Sequence, residues 1–370
     1  MKSEVLLLLI LFKTILSAQQ IKLTASIIWE IGGVSETKKE FYFKMPASIA
    51  VDKENNLYIS ENNGTKIIKC SKEGNWIRMI GGKGAGPGEF KHIEKMFITD
   101  DNEILVKDQI NGRYMFLSLD GSYLKSIPIG GENRKFYKLN NFFDGKLYAQ
   151  VQVNENMSKH GNKFVVVDKN LEEKITSFGY SSIFWDYETV MGKIQDDLCD
   201  LNTLCGSNSR FWVSKSYYDG RIFLFDKQKQ WKLTVFEGKR LSHSSYEIME
   251  KQAGSGRPNS NGYSYFSMGN SLSGSGKATY IKVITKSIGL FEYNNKYIIN
   301  FIAHQKGKDK VLFGLELFSI EGNYLGFYEI KEIKGETLDE VLCMDYEGNF
   351  IMRAFDNGGF LIRKFKLKIG

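Results

Sequence analysis

Four histidines, His92, His160, His243 and His304, are the residues of this chain that could gather a transition metal. Imidazole nitrogens hold zinc when three or four of them converge at about 2 Å from the ion. The sequence offers no H-x-H or HExxH spacing that would put two of them on one strand or one helical turn. Each falls in or beside a turn, where a polar side chain is at home. A calcium site would use carboxylates instead, and Glu94 and Glu340 sit at strand starts suited to it. Nothing else in their surroundings separates them from solvated loop charges. Ser255, flanked by Gly254 and Gly256, lies in a Gly/Ser run that could not hold a nucleophile in place. The glycine-rich stretch 81–88 is not followed by a helix and does not end in Lys-Ser or Lys-Thr, so it reads as a turn between strands and not as a phosphate cradle.

Cysteines and aromatic residues give two further readings. Cys199 and Cys205 are close enough to close a small loop, so an exported chain could bridge them, but spacing alone does not establish the geometry, and the favoured reading is that Cys70, Cys199, Cys205 and Cys343 are all free, buried thiols. No CxxC pair exists. Phe184 and Trp185 in one long connection, and Tyr263, Tyr265 and Phe266 in another, form aromatic groups expected to contact a ligand, with packing back on the propeller as filler the alternative. Net charge is +7, with Lys and Arg spread along the chain. The one compact basic run, 363–368, alternates with apolar residues as a half-buried strand does, so a nucleic-acid surface is not expected.

The elements that must carry these residues are strands. Of 370 residues, 26 are Phe and 19 are Tyr, which favours sheet over helix. With 36 Gly and only 4 Pro, turns are made by Gly, Asn and Asp. Landmarks recur. Gly33 to Gly82 is 49 residues, Asp52 to Asp100 is 48, and Gly74 to Gly121 is 47. Within one period, apolar segments at 47–51, 57–60, 66–70 and 76–80 are separated by turn residues at 52–56, 61–64 and 72–74. Asp52, Asp100, Asp120 and Glu347 therefore read as turn formers, not general acids. Four short antiparallel strands per period of 40–50 residues is the pattern of a propeller blade.

Residues 81–90, Gly-Gly-Lys-Gly-Ala-Gly-Pro-Gly-Glu-Phe, resemble the inter-blade signature of NHL-repeat proteins, and residues 46–60 resemble the opening of such a repeat. The resemblance is specific over 28–100. It implies the all-β, six-bladed propeller fold of the TolB-like superfamily, with four-stranded antiparallel blades. Blades are expected over 47–82, 96–131, 138–179, 210–238 with a first strand near 198–205, 287–330 and 340–369. The last supplies only three strands, while 27–31 matches a fourth strand with no blade of its own. Pairing of that strand with the last blade would close the ring and cover two open sheet edges. Residues 180–197 and 239–286 are then long insertions between blades, both leaving from the same face and flanking blade four. The Gly/Ser runs of the second are expected to stay without order.

Lys2, the apolar run 5–12 and the small residues Ser17-Ala18 read as a signal peptide cut after Ala18. The single propeller domain is then 19–370, exported to the periplasm, cell envelope or exterior, with no membrane-spanning segment and expected to be a monomer. The functional expectation is a non-catalytic propeller recognising a protein, peptide or glycan on the face that bears the long insertions, without a cofactor. The alternative implied by the resemblance is an enzyme of the lyase or lactonase type, using zinc or calcium at the channel mouth.

Overall fold

The computed structural model describes residues 21–33, 36, 39–61, 64–129, 137–151, 162–171, 174–184, 201–239, 241, 246–252, 264–268, 277–306, 311–331, 337–356 and 359–370. The chain opens with β1 (Leu23–Gly32), which takes no part in the first blade. Blade one is β2 (Pro46–Val51), β3 (Leu57–Glu61), β4 (Lys66–Cys70) and β5 (Trp76–Gly81). Blade two is β6 (Ile93–Ile98), β7 (Glu103–Asp108), β8 (Arg113–Ser118) and β9 (Tyr123–Pro128). Blade three is β10 (Tyr137–Phe143), β11 (Lys146–Val151), β12 (Asn162–Asp168) and β13 (Lys174–Tyr180). Blade four is β14 (Leu201–Gly206), β15 (Arg210–Lys215), β16 (Arg221–Asp226) and β17 (Lys232–Glu237). An additional sheet comes next, made of β18 (Tyr246–Gln252), β19 (Ser264–Met268) and β20 (Lys277–Val283). Blade five is β21 (Thr285–Tyr293), β22 (Tyr297–Gln305), β23 (Val311–Ser319) and β24 (Tyr324–Glu329). Blade six is β25 (Thr337–Met344), β26 (Asn349–Asp356) and β27 (Gly359–Ile369).

Blades one to five are meanders in chain order, and the sixth is completed by β1, giving the order β1-β27-β26-β25. The antiparallel β1–β27 pairing runs from Leu23↔Ile369 to Gly32↔Leu361. This is the closure expected from the orphan strand, and it makes the architecture a six-bladed propeller. The first strands β2, β6, β10, β14, β21 and β25 touch one another in turn around the axis, and β25 returns to β2.

The core is divided as a ring of blades requires. Six clusters of buried apolar side chains fill the six seams between adjacent blades: Leu57 and Ile351 in the seam of blades six and one, Tyr58 and Val106 in the next, Leu105 and Val165, Phe164 and Phe211, Trp212 and Ile302, and Phe301 and Phe350 in the rest. Second and third strands are buried on both faces, which is why segments such as Ile104–Val106 and Phe164–Val167 are unbroken apolar runs. Fourth strands form the rim and expose apolar residues singly, as at Trp76, Ile77 and Met79.

Turn chemistry matches the turn residues of the sequence. Asp52 Oδ1 accepts from the backbone N–H of Glu54 at 3.0 Å and of Asn56 at 2.8 Å. Asp345 repeats the arrangement with Glu347 at 3.0 Å and Asn349 at 2.7 Å. The stretch 81–88 is tied down by its neighbours. Arg113 donates to the carbonyls of Ala85 and Gly86 at 2.9 Å and of Glu89 at 2.8 Å, and Asn111 donates to that of Gly84 at 2.9 Å. It is a structural connection between blades one and two.

Two expectations shift. The first strand of blade four begins at Leu201, a few residues later than the 198–205 estimate, and blade five begins at Thr285. Within the connection 239–286, β18 and β19 both pair antiparallel with β20. The Gly/Ser runs expected to stay without order lie outside the described residues. Among the described residues no helix is long and apolar enough to cross a membrane.

Candidate binding face

Outer-to-inner connections and the hairpins between second and third strands lie on one face of a propeller. Here that face receives the ends of β3, β7, β11, β15, β22 and β26. Three residues after the first core residue of each of these strands stand Ser60, Lys107, Gln150, Ser214, Phe301 and Arg353. Five of the six are polar, and all five are buried. By strand alternation each faces the seam with the next blade, since Tyr58, Leu105, Tyr148, Trp212 and Ile351 on the same side belong to that seam's cluster. A polar residue at a fixed place in an otherwise apolar strand was the signal available in the sequence for this ring.

The ring changes character around the axis. On blades two and six it is ionic. Lys107 pairs with Glu94 at 2.8 Å. Arg353 pairs with Glu340 at 3.3 Å and also donates to the carbonyl of Pro46, fastening blade six to blade one. The two carboxylates considered for calcium are thus held by cations. On blades three to five uncharged side chains bond one another across the seams. Asn141 donates to Thr203 Oγ1 at 2.7 Å across the seam of blades three and four. Asn202 donates to Ser287 O at 2.8 Å and Ser287 Oγ at 2.9 Å across the next seam. Ser287 also bonds Ser214 at 2.8 Å and donates to Asn300 Oδ1 at 2.5 Å.

Among the described residues two buried side-chain acceptors of blade three, Gln150 Oε1 and Asn140 Oδ1, have no hydrogen-bond partner. Gln150 is 4% exposed. Asn140 is the extra residue of a bulge in β10, between Leu139 and Asn141, and Gln150 stands opposite Lys138 in the β10–β11 register. A buried acceptor left unpaired costs about 1–3 kcal/mol.

The connection that carries the additional sheet leaves and returns on the same face, beside the hairpin 216–220 of blade four. Gly238 N–H donates to Gly220 O at 2.8 Å, Tyr218 N–H to Thr285 O at 3.1 Å and Ser287 N–H to Ser216 O at 3.0 Å. Beside that hairpin lies Glu316, fully buried, whose carboxylate accepts from Tyr218 Oη, the Lys239 backbone N–H and, at 3.4 Å, Asn300 Nδ2. Burial pushes the Glu316 carboxyl above its ordinary pKa, against the lowering effect of these donors. Val283, at the end of β20, packs into the seam of blades three and four.

Residues singled out from the sequence are distributed unevenly. Phe184 is 3% exposed. It packs 4.9 Å from the Phe223 ring and 5.9 Å from that of Phe164, so it fills the core of the seam and presents no face to solvent. Tyr265 and Phe266 lie in β19, in register with Lys282 and Ile281 of β20. Trp185 and Tyr263 lie outside the described residues, as do Cys199, His160, His243 and the N-terminal segment. Cys205 is a free thiol in β14, packed against the seam cluster of blades three and four, and Cys70 and Cys343 are free as well. His304 is 8% exposed, its Nδ1 lies 2.8 Å from Thr285 Oγ1, and burial followed by Lys306 lowers its pKa. Among the described residues no three His, Cys, Asp or Glu side chains converge as metal ligands would.

Comparison with known proteins agrees on the architecture. The model of the DUF5128 family, described as a 6-bladed beta-propeller, matches residues 35–192. A member of the DUF4221 family from Bacteroides vulgatus superposes with a TM-score of 0.60 at 10% identity, covering 95% of this chain and 100% of its own. A presumed exported protein from Bacteroides fragilis superposes with a TM-score of 0.55 at 15% identity, covering 95% of this chain and 96% of its own. At such identities the likeness is one of fold. Among curated proteins none matches the sequence significantly.

Proposed function

We propose that this chain is an exported, non-catalytic binding propeller that recognises its ligand, a protein, peptide or glycan, on the face bearing the two long connections. The observation that carries the reading is the placement of the additional sheet. A scaffold needs nothing beyond the six blades to close. Yet β18–β20 is inserted between blades four and five, in a connection that leaves and returns beside the 216–220 hairpin of blade four. Sites on propellers and barrels are ordinarily built at such mouths from irregular additions to a regular scaffold.

The targeting part of the reading rests on Lys2, the apolar run 5–12 and Ser17-Ala18. Blades one and two are read as NHL-like repeats. Gly32 and Gly81 end successive fourth strands at φ +87° and +83°, and each lies against the entry aromatic of the following blade, Phe43 and Phe90.

The register gives a direct test. Gln252↔Lys277 is the last pair of β18 with β20. Replacing 253–276 by Asn-Gly therefore joins the two strands by a tight hairpin and removes β19 alone. The variant is expected to keep the thermal midpoint of the propeller and to lose or change ligand capture. Unchanged capture would remove β19 and its connections from the recognition surface.

A further inference from the structure

The two strands that close the ring run past the rest of blade six. β26 begins at Asn349, opposite Lys366, so beyond Lys366 the strand β27 is paired only with β1. The resulting ribbon, 22–26 with 366–370, has two unlike sides. Ala25 and Leu367, opposite one another, are buried against blade five; Ile21, Leu23 and Ile369 join them, and Tyr293 Oη donates to Leu367 O at 2.9 Å. By strand alternation the other side carries Thr24 opposite Lys368 and Ser26 opposite Lys366, with Lys22 next in line. All five of these residues are exposed.

Lys364 lies on this second side, two residues before Lys366. It is buried, pairs with Asp345 at 2.7 Å and donates to Lys72 O at 3.2 Å in the turn 71–75 of blade one. Lys366 and Lys368 stand about 7 and about 14 Å further along the strand than Lys364, beyond that turn. The carboxylates of Asp345 and Glu347 are engaged by Lys364 and Lys72, at 2.7 and 3.6 Å. Among the described residues Lys22, Lys366 and Lys368 have no ion pair, and 21–26 and 366–370 contain no Asp or Glu. The lysines therefore share an open sheet face that is buttressed behind by blade five and uncompensated in front.

Such a face favours an anionic partner, and its place in the chain selects which. It lies with the turns 71–75 and 345–349, at the end of the propeller opposite the long connections. The N-terminal segment joins the fold at this same tip. Only residues 13–20 separate the apolar run 5–12 from Ile21, a reach of at most about 30 Å. While that run engages a bilayer, the ribbon stays near the headgroups. Lysines held there are attracted to acidic lipid, each strengthening binding about fivefold.

We propose that the outer side of the β1–β27 ribbon, Lys22, Lys366 and Lys368 with Thr24 and Ser26, is a contact surface for acidic lipid headgroups. This contact turns the face bearing the long connections away from the membrane. It does not depend on what that face captures.

The test is flotation of the full chain with vesicles of phosphatidylcholine, alone or with about one-third phosphatidylglycerol, in about 50 mM and about 500 mM salt. The parent is expected to bind the acidic vesicles at least tenfold more tightly than the neutral ones at low salt, and high salt to erase the difference. Lys22→Gln/Lys366→Gln/Lys368→Gln is expected to lose at least tenfold on acidic vesicles. Lys44→Gln/Lys83→Gln/Lys91→Gln makes the same charge change at exposed lysines of the opposite face, and is expected to lose less than about twofold. The run 5–12 is common to all variants, so binding through it cancels in the comparison. If the ribbon triple does not fold, Lys366→Gln/Lys368→Gln is read in the same way. Equal binding to the two kinds of vesicle, equal losses in the two triples, or parental binding by the ribbon variant overturns the proposal. Capture of poly-glutamate in place of acidic vesicles, lost in the ribbon variant, overturns the lipid in favour of an acidic protein.

Discussion

Replacing Gly81 by Ala should cripple the propeller, whereas the same change at Gly82 should not. Gly81 ends β5 at φ +83°, and a Cβ there would sit 2.5 Å from Phe90 Cε2 and 2.7 Å from Cδ2. Phe90 is completely buried between blades one and two and has no free space to swing into. Two costs add. A non-glycine residue in the left-handed region costs about 1–2 kcal/mol, and overpacking a filled core about 1–3 kcal/mol. A total of about 2–5 kcal/mol is a large share of the roughly 5–15 kcal/mol that holds a domain together. Gly82 has no atom within 4 Å of its virtual Cβ and no positive φ, so Gly82→Ala should fall within about 0.5 kcal/mol of the parent. Urea titrations followed by tryptophan fluorescence give both values from the shift in midpoint at constant slope. Equal effects of the two substitutions, or a Gly81→Ala loss below about 0.5 kcal/mol, would refute the reasoning and with it the account of the recurring glycine–aromatic contact.

Glu316 supplies a pH signature. Its folded-state pKa is raised by burial, so the unfolded chain releases the proton first as pH rises from about 4.3, and stability is lost until the folded value is passed. Glu316→Gln removes that loss, so the variant's stability relative to the parent should improve between pH 4 and pH 8, read as a rising difference in urea midpoint; a flat or falling difference contradicts the assignment. Deleting 19–32 removes β1 and leaves β27 an open edge. That truncation should broaden the unfolding transition and promote association in light scattering, and a sharp, monomeric transition would mean that closure by β1 is dispensable.

How much of this could be read from the sequence depended on whether a local rule was at work. The turns around Asp52 and Glu347 and the glycines at the ends of β1 and β5 obey backbone constraints, so they marked the blades before any contact was known. Closure was legible because one strand too many stood at the start and one too few at the end. β14 was hard to place since Leu201–Gly206 has a single β-branched residue and borrows its stability from β15. Phe184 was misjudged because an aromatic residue in a connection carries no mark of which side it faces; only the rings of Phe164 and Phe223 show it to be core. The polar ring and the unpaired acceptors depend on which strands meet across a seam, a non-local property that no window of sequence contains.

Recognition through the insertion-bearing face is tested most directly by hydrogen exchange on the full chain, alone and in complex with the partner it captures. The account predicts slowed exchange in 137–141, 149–151, 201–203, 216–220 and 284–287, with the opposite-face turns 52–56, 99–103 and 345–349 unchanged. Protection confined to those turns, with the first group unaffected, would contradict it.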